Sequence, residues 1–208
     1  MLEDYKENLK RIPGVVTLVQ YLREGASASR SPRGWIIDNI PKQSIGIEIG
    51  VYEGDFSSQI LQRKNPRKLH LVDPWEYVPE YEDAWYGGSD TTQKEMDEKY
   101  EKVKRDFDEY IKKGIVEVHR KTSSNAVSTF DDSSIDWVYI DGNHLYEYVL
   151  RDLINYHSKM KDDGLIMGDD YDLEGWWNNG VKKAVDEFVE DKELGLHVRG
   201  DQFIIKSD

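Results

Sequence analysis

From residue 44 onward, short apolar runs alternate with longer amphipathic stretches, and the two spacings mark different elements. The runs are SIGIEIG (44–50), KLHLVD (68–73), GIVEVHR (114–120), IDWVYID (135–141) and GLIMGDD (164–170). Each is short and bounded by turn-forming residues, which predicts a strand. Helices are predicted between them, near 55–63, 91–112, 124–130 and 144–160, with a last one near 180–191. Strands alternating with helices predict an α/β fold: a mostly parallel twisted sheet with helices on both faces. Ligands of such sheets gather at the carboxyl ends of the strands. LGLHVRG and QFIIKSD, joined at Gly200-Asp201, predict a closing antiparallel hairpin.

Ahead of this pattern, Leu9, Ile12, Val15, Val16, Leu18, Val19 and Leu22 have roughly helical spacing, interrupted at Pro13-Gly14. They predict one or two short helices over the end of the domain. EGASASRSPRG, 24–34, is small and polar and predicts a solvated loop, although its basic residues have the reach to approach a ligand. The expected organisation is an N-terminal helical segment and linker, 1–34, packed on one domain, 35–208. Two segments break the economy of the pattern. PWEYVPEYEDAWYGGSD (74–90) and YDLEGWWNNG (171–180) concentrate Trp and Tyr directly after strand ends. There a long loop is either a lid or substrate wall, or a satellite cluster burying its own rings. The same insertions are candidate contacts between copies of the chain, which leaves a homo-oligomer open.

Composition narrows the partners. A chain of 208 residues suits one substantial core. Its 28 Lys and Arg against 41 Asp and Glu give a net charge of -13, which opposes nonspecific attraction to nucleic acid or an anionic membrane. A small neutral or cationic substrate, or a divalent cation, suits that field better. The absence of Cys excludes disulfides and thiolate metal sites, and no run has the apolar length of a signal or membrane-spanning segment. A cytoplasmic location is the expectation.

The chemistry-bearing residues sit at the predicted strand ends. IEIGVYEGDFSS places Glu48, Gly50 and Gly54 at the corner between the first strand and its helix. Glycine lets the backbone turn sharply there and lie against a ligand, while the helix offers free N–H groups. Asp73 ends the next strand, where a carboxylate can accept both hydroxyl hydrogens of a ribose. The dinucleotide fingerprint would be G-x-G-x-x-G, but this chain reads E-x-G-x-x-x-G. An acid at that corner repels a pyrophosphate and favours a ligand with positive charge. The plainer reading is a tight turn, with Asp73 capping the loop after its strand.

Asp141, Asp169 and Asp170 emerge at one sheet edge if their strands are neighbours. Three carboxylates there repel one another unless a cation neutralises them, and oxygen donors suit Mg²⁺, with Mn²⁺ or Ca²⁺ as alternatives. His144, expected one turn into the helix after Asp141, can lean back as a general base for a metal-softened hydroxyl. The structural alternative makes Asp141 an N-cap and His144 part of a first turn. His157, near the end of that helix, reads as surface or core.

The E-x-G-x-x-x-G turn, with an acid at the end of the second strand, resembles the class I S-adenosylmethionine-dependent methyltransferases. From about residue 40 to the C-terminus the order of elements is similar to theirs, including the final hairpin. The resemblance implies a Rossmann-like methyltransferase fold and a cofactor site at Glu48, Gly50, Tyr52, Gly54, Ser57, Asp73 and Asp141. It points to RKTSSNA for the adenine, with Thr122 and Ser123 as candidates. A helix N-cap explains a serine there equally well. DGNHLYEYVLRDL followed by DGLIMGDDY is similar to a narrower group, the metal-dependent macrocin and mycinamicin-type sugar O-methyltransferases and the cephalosporin-hydroxylase-like proteins. That similarity spans roughly 45–171 and implies metal ligation by Asp141, Asp169 and Asp170, with His144 as base. The acceptor it implies is a hydroxyl of a sugar or catechol-like vicinal diol. Two rivals stay open: a metal-dependent nucleotide-sugar glycosyltransferase using GDDY and Asp73, and a noncatalytic binding module on the same fold.

Overall fold

A computed structural model describes residues 31–84, 86–88 and 91–206 of the chain. The helices expected within the first thirty residues lie outside the described residues, as does Trp85. Seven strands form one sheet: β1 (Ile45–Ile49), β2 (Lys68–Asp73), β3 (Val116–Arg120), β4 (Ile135–Ile140), β5 (Met160–Gly168), β6 (Gly195–Arg199) and β7 (Gln202–Lys206). Their order is β3-β2-β1-β4-β5-β7-β6. The first five strands run parallel, and β7 is antiparallel to both β5 and β6. The expected mostly parallel sheet and closing hairpin are therefore present. The order reverses beside β1, so β1 and β4 diverge toward opposite halves of the sheet and leave a crevice at their carboxyl ends.

Helices cover both faces: α1 (Pro32–Asn39), α2 (Asp55–Lys64), α3 (Gln93–Asp106), α4 (Asp108–Lys112), α5 (Ser123–Ala126), α6 (Tyr146–His157) and α7 (Gly180–Lys192). The period-2 alternation of the strands splits the core in two. Ile47, Ile49, Val138, Ile140 and Ile166 pack with Leu153, Val185 and Phe188 on the α6 and α7 face. Leu69, Leu71, Trp137, Tyr139 and Met167 pack with Ile37, Phe56 and Ile60 on the α1 and α2 face.

Three local expectations are corrected. The loop expected through residue 34 gives way to α1 at Pro32. Ser31 is extended and its Oγ accepts the Gly34 N–H at 2.9 Å, so Ser-Pro acts as an N-cap and first helical residue. The single helix expected at 91–112 breaks at Phe107 (φ -104°, ψ 12°), and the Phe107 ring packs against Gly54. The helix expected from 144 begins only at Tyr146, because Asn143 Oδ1 accepts the Leu145 N–H at 3.0 Å and holds the preceding residues as a turn.

One buried acid in this framework has a pH signature. Asp152 on α6 is 4% exposed and accepts a 2.6 Å bond from Ser123 Oγ. Burial pushes its carboxyl up to about 6, against the Ser123 bond. A raised carboxyl contributes stability below its unfolded value and loses it as pH rises through about 6. Asp152→Asn should keep an acceptor for Ser123 and stabilise the fold at pH 7 by about 1 kcal/mol, with no gain near pH 4. Urea midpoints of the two proteins at both pH values measure this, and equal midpoints at pH 7 would count against a buried charge.

Candidate active site

The turn after β1 is set by glycine and by Asp73. Gly50 has φ +85°, and Gly54, at φ +84°, caps the amino end of α2 without a side-chain bond. Asp73 Oδ2 accepts the Val51 and Tyr52 N–H groups at 2.9 and 3.0 Å, and Oδ1 accepts the Trp75 N–H at 2.7 Å. The carboxylate thus organises the turn itself and leaves only its remaining lone pairs for a ligand. Burial raises its pKa, and the three backbone donors work against that rise. Glu48 is 1% exposed and accepts a 2.6 Å bond from Ser57 Oγ, so the serine expected at the cofactor site is buried with its side chain on Glu48. Burial outweighs that bond and pushes Glu48 up to about 8. Tyr52 accepts the Trp75 indole N–H on its carbonyl at 2.8 Å, and Lys99 Nζ lies 4.9 Å from its ring centre.

At the ends of β4 and β5 the acids meet a cation that sequence reasoning placed in a solvated loop. Arg33, on the first turn of α1, donates from Nη2 to Asp141 Oδ2 at 2.8 Å and from Nε to Asp169 Oδ2 at 2.8 Å. Burial works against its charge, but Asp141 and its neighbours outweigh burial and hold the guanidinium firmly protonated. Asp169 is 4% exposed; Oδ1 accepts from Gln202 Nε2 and the Asp170 N–H, and Oδ2 from the Tyr139 hydroxyl. Backbone bonds fix the edge itself: Asp141 N–H donates to Ile49 at 2.8 Å, and Asp169 N–H to Ile140 at 3.2 Å. Asp170 takes φ +59°, an uncommon conformation for a residue with a Cβ.

His144 completes the cluster from the turn before α6, not from the helix. Its Nδ1 lies 3.2 Å from Asp170 Oδ2. Its Nε2 lies 3.6 Å from Asp141 Oδ1, beyond hydrogen-bond reach, and is buried with no hydrogen-bond partner. Burial disfavours the imidazolium, yet Asp141 and Asp170 outweigh it and raise the His144 pKa. Burial also raises Asp170, to about 6, against the pull of His144. The expected trio of acids does not close into a single group among the described residues. Donor atoms converge as Asp141, His144 and Asp170, and as Asp169, Asp170 and Asp201. The carboxylates of Asp141 and Asp170 beside His144 fit a divalent cation by their oxygen donors, and His144 Nε2 is left without a partner.

The two aromatic insertions meet over this cluster. Tyr81, from the first, stacks on Trp176, from the second, with ring centres 5.4 Å apart, and the Tyr81 and Tyr148 hydroxyls are 3.3 Å apart. Trp177 presents its edge to His144 at 4.8 Å. Trp75, by contrast, is fully buried core.

A cavity of about 550 Å³ lies at the carboxyl ends of β2 and β3, walled by Pro74, Trp75, Gln93, Arg120 and Thr122. Thr122 Oγ1 accepts the Asn125 N–H as the N-cap of α5, and Ser123 Oγ is turned to Asp152. Both side chains proposed for adenine recognition thus have structural partners, and Thr122 also faces the cavity. Sequence reasoning missed Arg33, Tyr139 and Gln202. Only the basic SRSPRG stretch carried a signal for the first.

A crevice at the strand-order reversal, a glycine turn capped by an acid and a hairpin-closed sheet together define a Rossmann-like methyltransferase fold. Residues 47–171, more than half of the chain, match a family described as a methyltransferase domain, and the chain belongs to that family. An uncharacterised protein, R132, of Acanthamoeba polyphaga mimivirus is 26% identical over 154 residues, covering 73% of this chain and 62% of the viral protein. The chain therefore spans less than two thirds of the length of that curated relative. Among solved structures, a provisionally assigned caffeoyl-CoA O-methyltransferase from Staphylococcus aureus superposes with a TM-score of 0.59 at 14% identity, covering 99% of this chain and 97% of its own. An O-methyltransferase family protein from Burkholderia thailandensis has a TM-score of 0.54 at 13% identity, covering 90% of this chain and 56% of its own. At these identities the structures share the fold.

Proposed function

We propose that the protein transfers the methyl group of S-adenosylmethionine to a hydroxyl oxygen of a small molecule, with a divalent cation, Mg²⁺ in first place, held by Asp141 and Asp170. One observation carries this reading: the His144 ring lies between two carboxylates, Nδ1 3.2 Å from Asp170 and the unpartnered Nε2 3.6 Å from Asp141, at the sheet edge that also holds the Gly50 turn. The cofactor would lie along the Gly50–Gly54 turn, with its carboxylate at the amino end of α2, whose first-turn N–H groups lack intrahelical partners. Its nucleoside would extend toward the cavity beside Thr122 and Arg120, with Asp73 offering its remaining lone pairs to the ribose.

When bound, the cation supplies Lewis-acid activation of the acceptor hydroxyl and offsets the negative charge that raises His144. Asp169, locked by Gln202 and Tyr139, positions its neighbour Asp170. His144 Nε2 is the atom left to take the acceptor's proton. Tyr81, Trp176 and Trp177 gather aromatic rings beside His144, which supports a sugar or a catechol as acceptor and agrees with the narrower resemblance to the macrocin and mycinamicin-type enzymes. The net charge of -13 supports a small-molecule partner over nucleic acid. No helix among the described residues is long and apolar enough to cross a membrane.

Calorimetric titration of S-adenosylmethionine at pH 6, 7 and 8 tests the first step. Below about pH 8 the ligand-free protein carries a proton on Glu48, and a bound sulfonium and ammonium favour the ionised acid. Binding should therefore release a proton and tighten as pH rises, by up to about tenfold per unit, levelling above about 8. No binding at millimolar cofactor would end the proposal.

A further inference from the structure

A second cluster of ligand-type side chains lies on the β2 and β3 edge of the sheet, apart from the acids. In the parallel register His70 pairs with Glu117 and Val72 with His119, so the pleat puts His70, Glu117 and His119 on one face. His70 Nδ1 and His119 Nε2 are 3.0 Å apart. Glu117 approaches both, with Oε2 3.9 Å from His70 Nδ1 and Oε1 3.8 Å from His119 Nε2. Phe130 packs edge-on against the two imidazoles at 5.0 and 5.6 Å and fixes their planes.

Two donors bound to one metal at about 2.1 Å, at angles between octahedral and tetrahedral, stand roughly 3.0–3.4 Å from each other. The two imidazole nitrogens already have that separation. Glu117 is 47% exposed on a flexible side chain and needs only a small rotation to close the triad. Burial lowers both imidazoles, His70 to about 4, so both are neutral near pH 7, the form in which they ligate. A hydrogen bond between the two rings accounts for their contact, and Lys68, 2.8 Å from Glu117, accounts for the carboxylate. Neither accounts for three donors converging on one point. The Lys68 pair is a surface ion pair, which offers little resistance to a metal. Lys68 and Lys121 are the cations that act on the site, and Glu117 offsets them.

We propose that His70, Glu117 and His119 form a binding site for a borderline divalent transition metal, zinc above all, separate from the oxygen-rich centre at Asp141 and Asp170. Two imidazoles and one carboxylate suit zinc, whereas Mg²⁺ and Ca²⁺ prefer oxygen donors, so the two sites select different ions. Metal there would cross-link β2 to β3, the strands whose ends carry Asp73 and the cavity-wall residue Arg120.

The test is calorimetric titration of zinc chloride into the full chain carrying Asp141→Asn and Asp170→Asn, which silences the carboxylate centre. One equivalent should bind and raise the melting temperature, while magnesium chloride does neither. Glu117→Gln, an exposed position that leaves folding intact, should weaken zinc by at least about tenfold, a loss that even outer partners of a metal ligand cause. His70→Gln should remove the binding step. Zinc uptake absent from the Asp141→Asn, Asp170→Asn protein, or unchanged by Glu117→Gln and His70→Gln, overturns the proposal.

Discussion

Gly50→Ala is expected to destabilise the protein by roughly 3 kcal/mol or more and to abolish S-adenosylmethionine binding. A Cβ at Gly50 would come 1.9 Å from the Asp141 carbonyl oxygen and 2.4 Å from its carbon, at a backbone φ of +85°. Both are backbone atoms, and the Asp141 N–H is tied to Ile49 at 2.8 Å, so no side chain can swing aside. The strain must part the ends of β1 and β4, the two strands that frame the crevice. Melting should fall by roughly 6 °C or more. Thermal scanning with and without cofactor measures both effects. An alanine variant with wild-type melting and wild-type affinity would mean that the turn does not press on β4.

His144→Ala is expected to lower kcat by about 10²–10⁴-fold while leaving cofactor affinity nearly unchanged. The residue stands in a turn, outside α6, and its removal takes away a counter-charge for Asp141 and Asp170 and the ring contact with Trp177. Release of S-adenosylhomocysteine, followed with a panel of sugars and catechols, reads the rate. Titration of Mg²⁺ or Mn²⁺ separates two roles for the imidazole. A proton acceptor leaves metal affinity in place, whereas a ligand takes it away. Turnover at the wild-type rate in this variant would remove His144 from the chemistry.

Much of this architecture could be read from local chemistry, and the exceptions share a cause. The five parallel strands and the hairpin at Gly200-Asp201 were legible because apolar alternation and turn residues act over a few positions. The break at Phe107 was not, and the Phe107 ring there meets Gly54, far away along the chain. Asp73 was legible as a strand-end acid, but not as the clamp on Val51, Tyr52 and Trp75. Arg33 was the largest omission. It meets Asp141 and Asp169 across 108 and 136 residues, and no window on the sequence spans such distances.

Residue spacing alone predicted a mostly parallel α/β sheet and put Asp141, Asp169 and Asp170 at strand ends, since strand ends follow from periodicity, and the tertiary structure decided that those two strands are neighbours. Packing decided how those acids are shared: Arg33 and Gln202 hold Asp169, His144 takes Asp170, and the two aromatic loops close on each other above them. Side-chain partnerships of that kind depend on which surfaces the folded chain buries together, and burial is a property of the whole molecule.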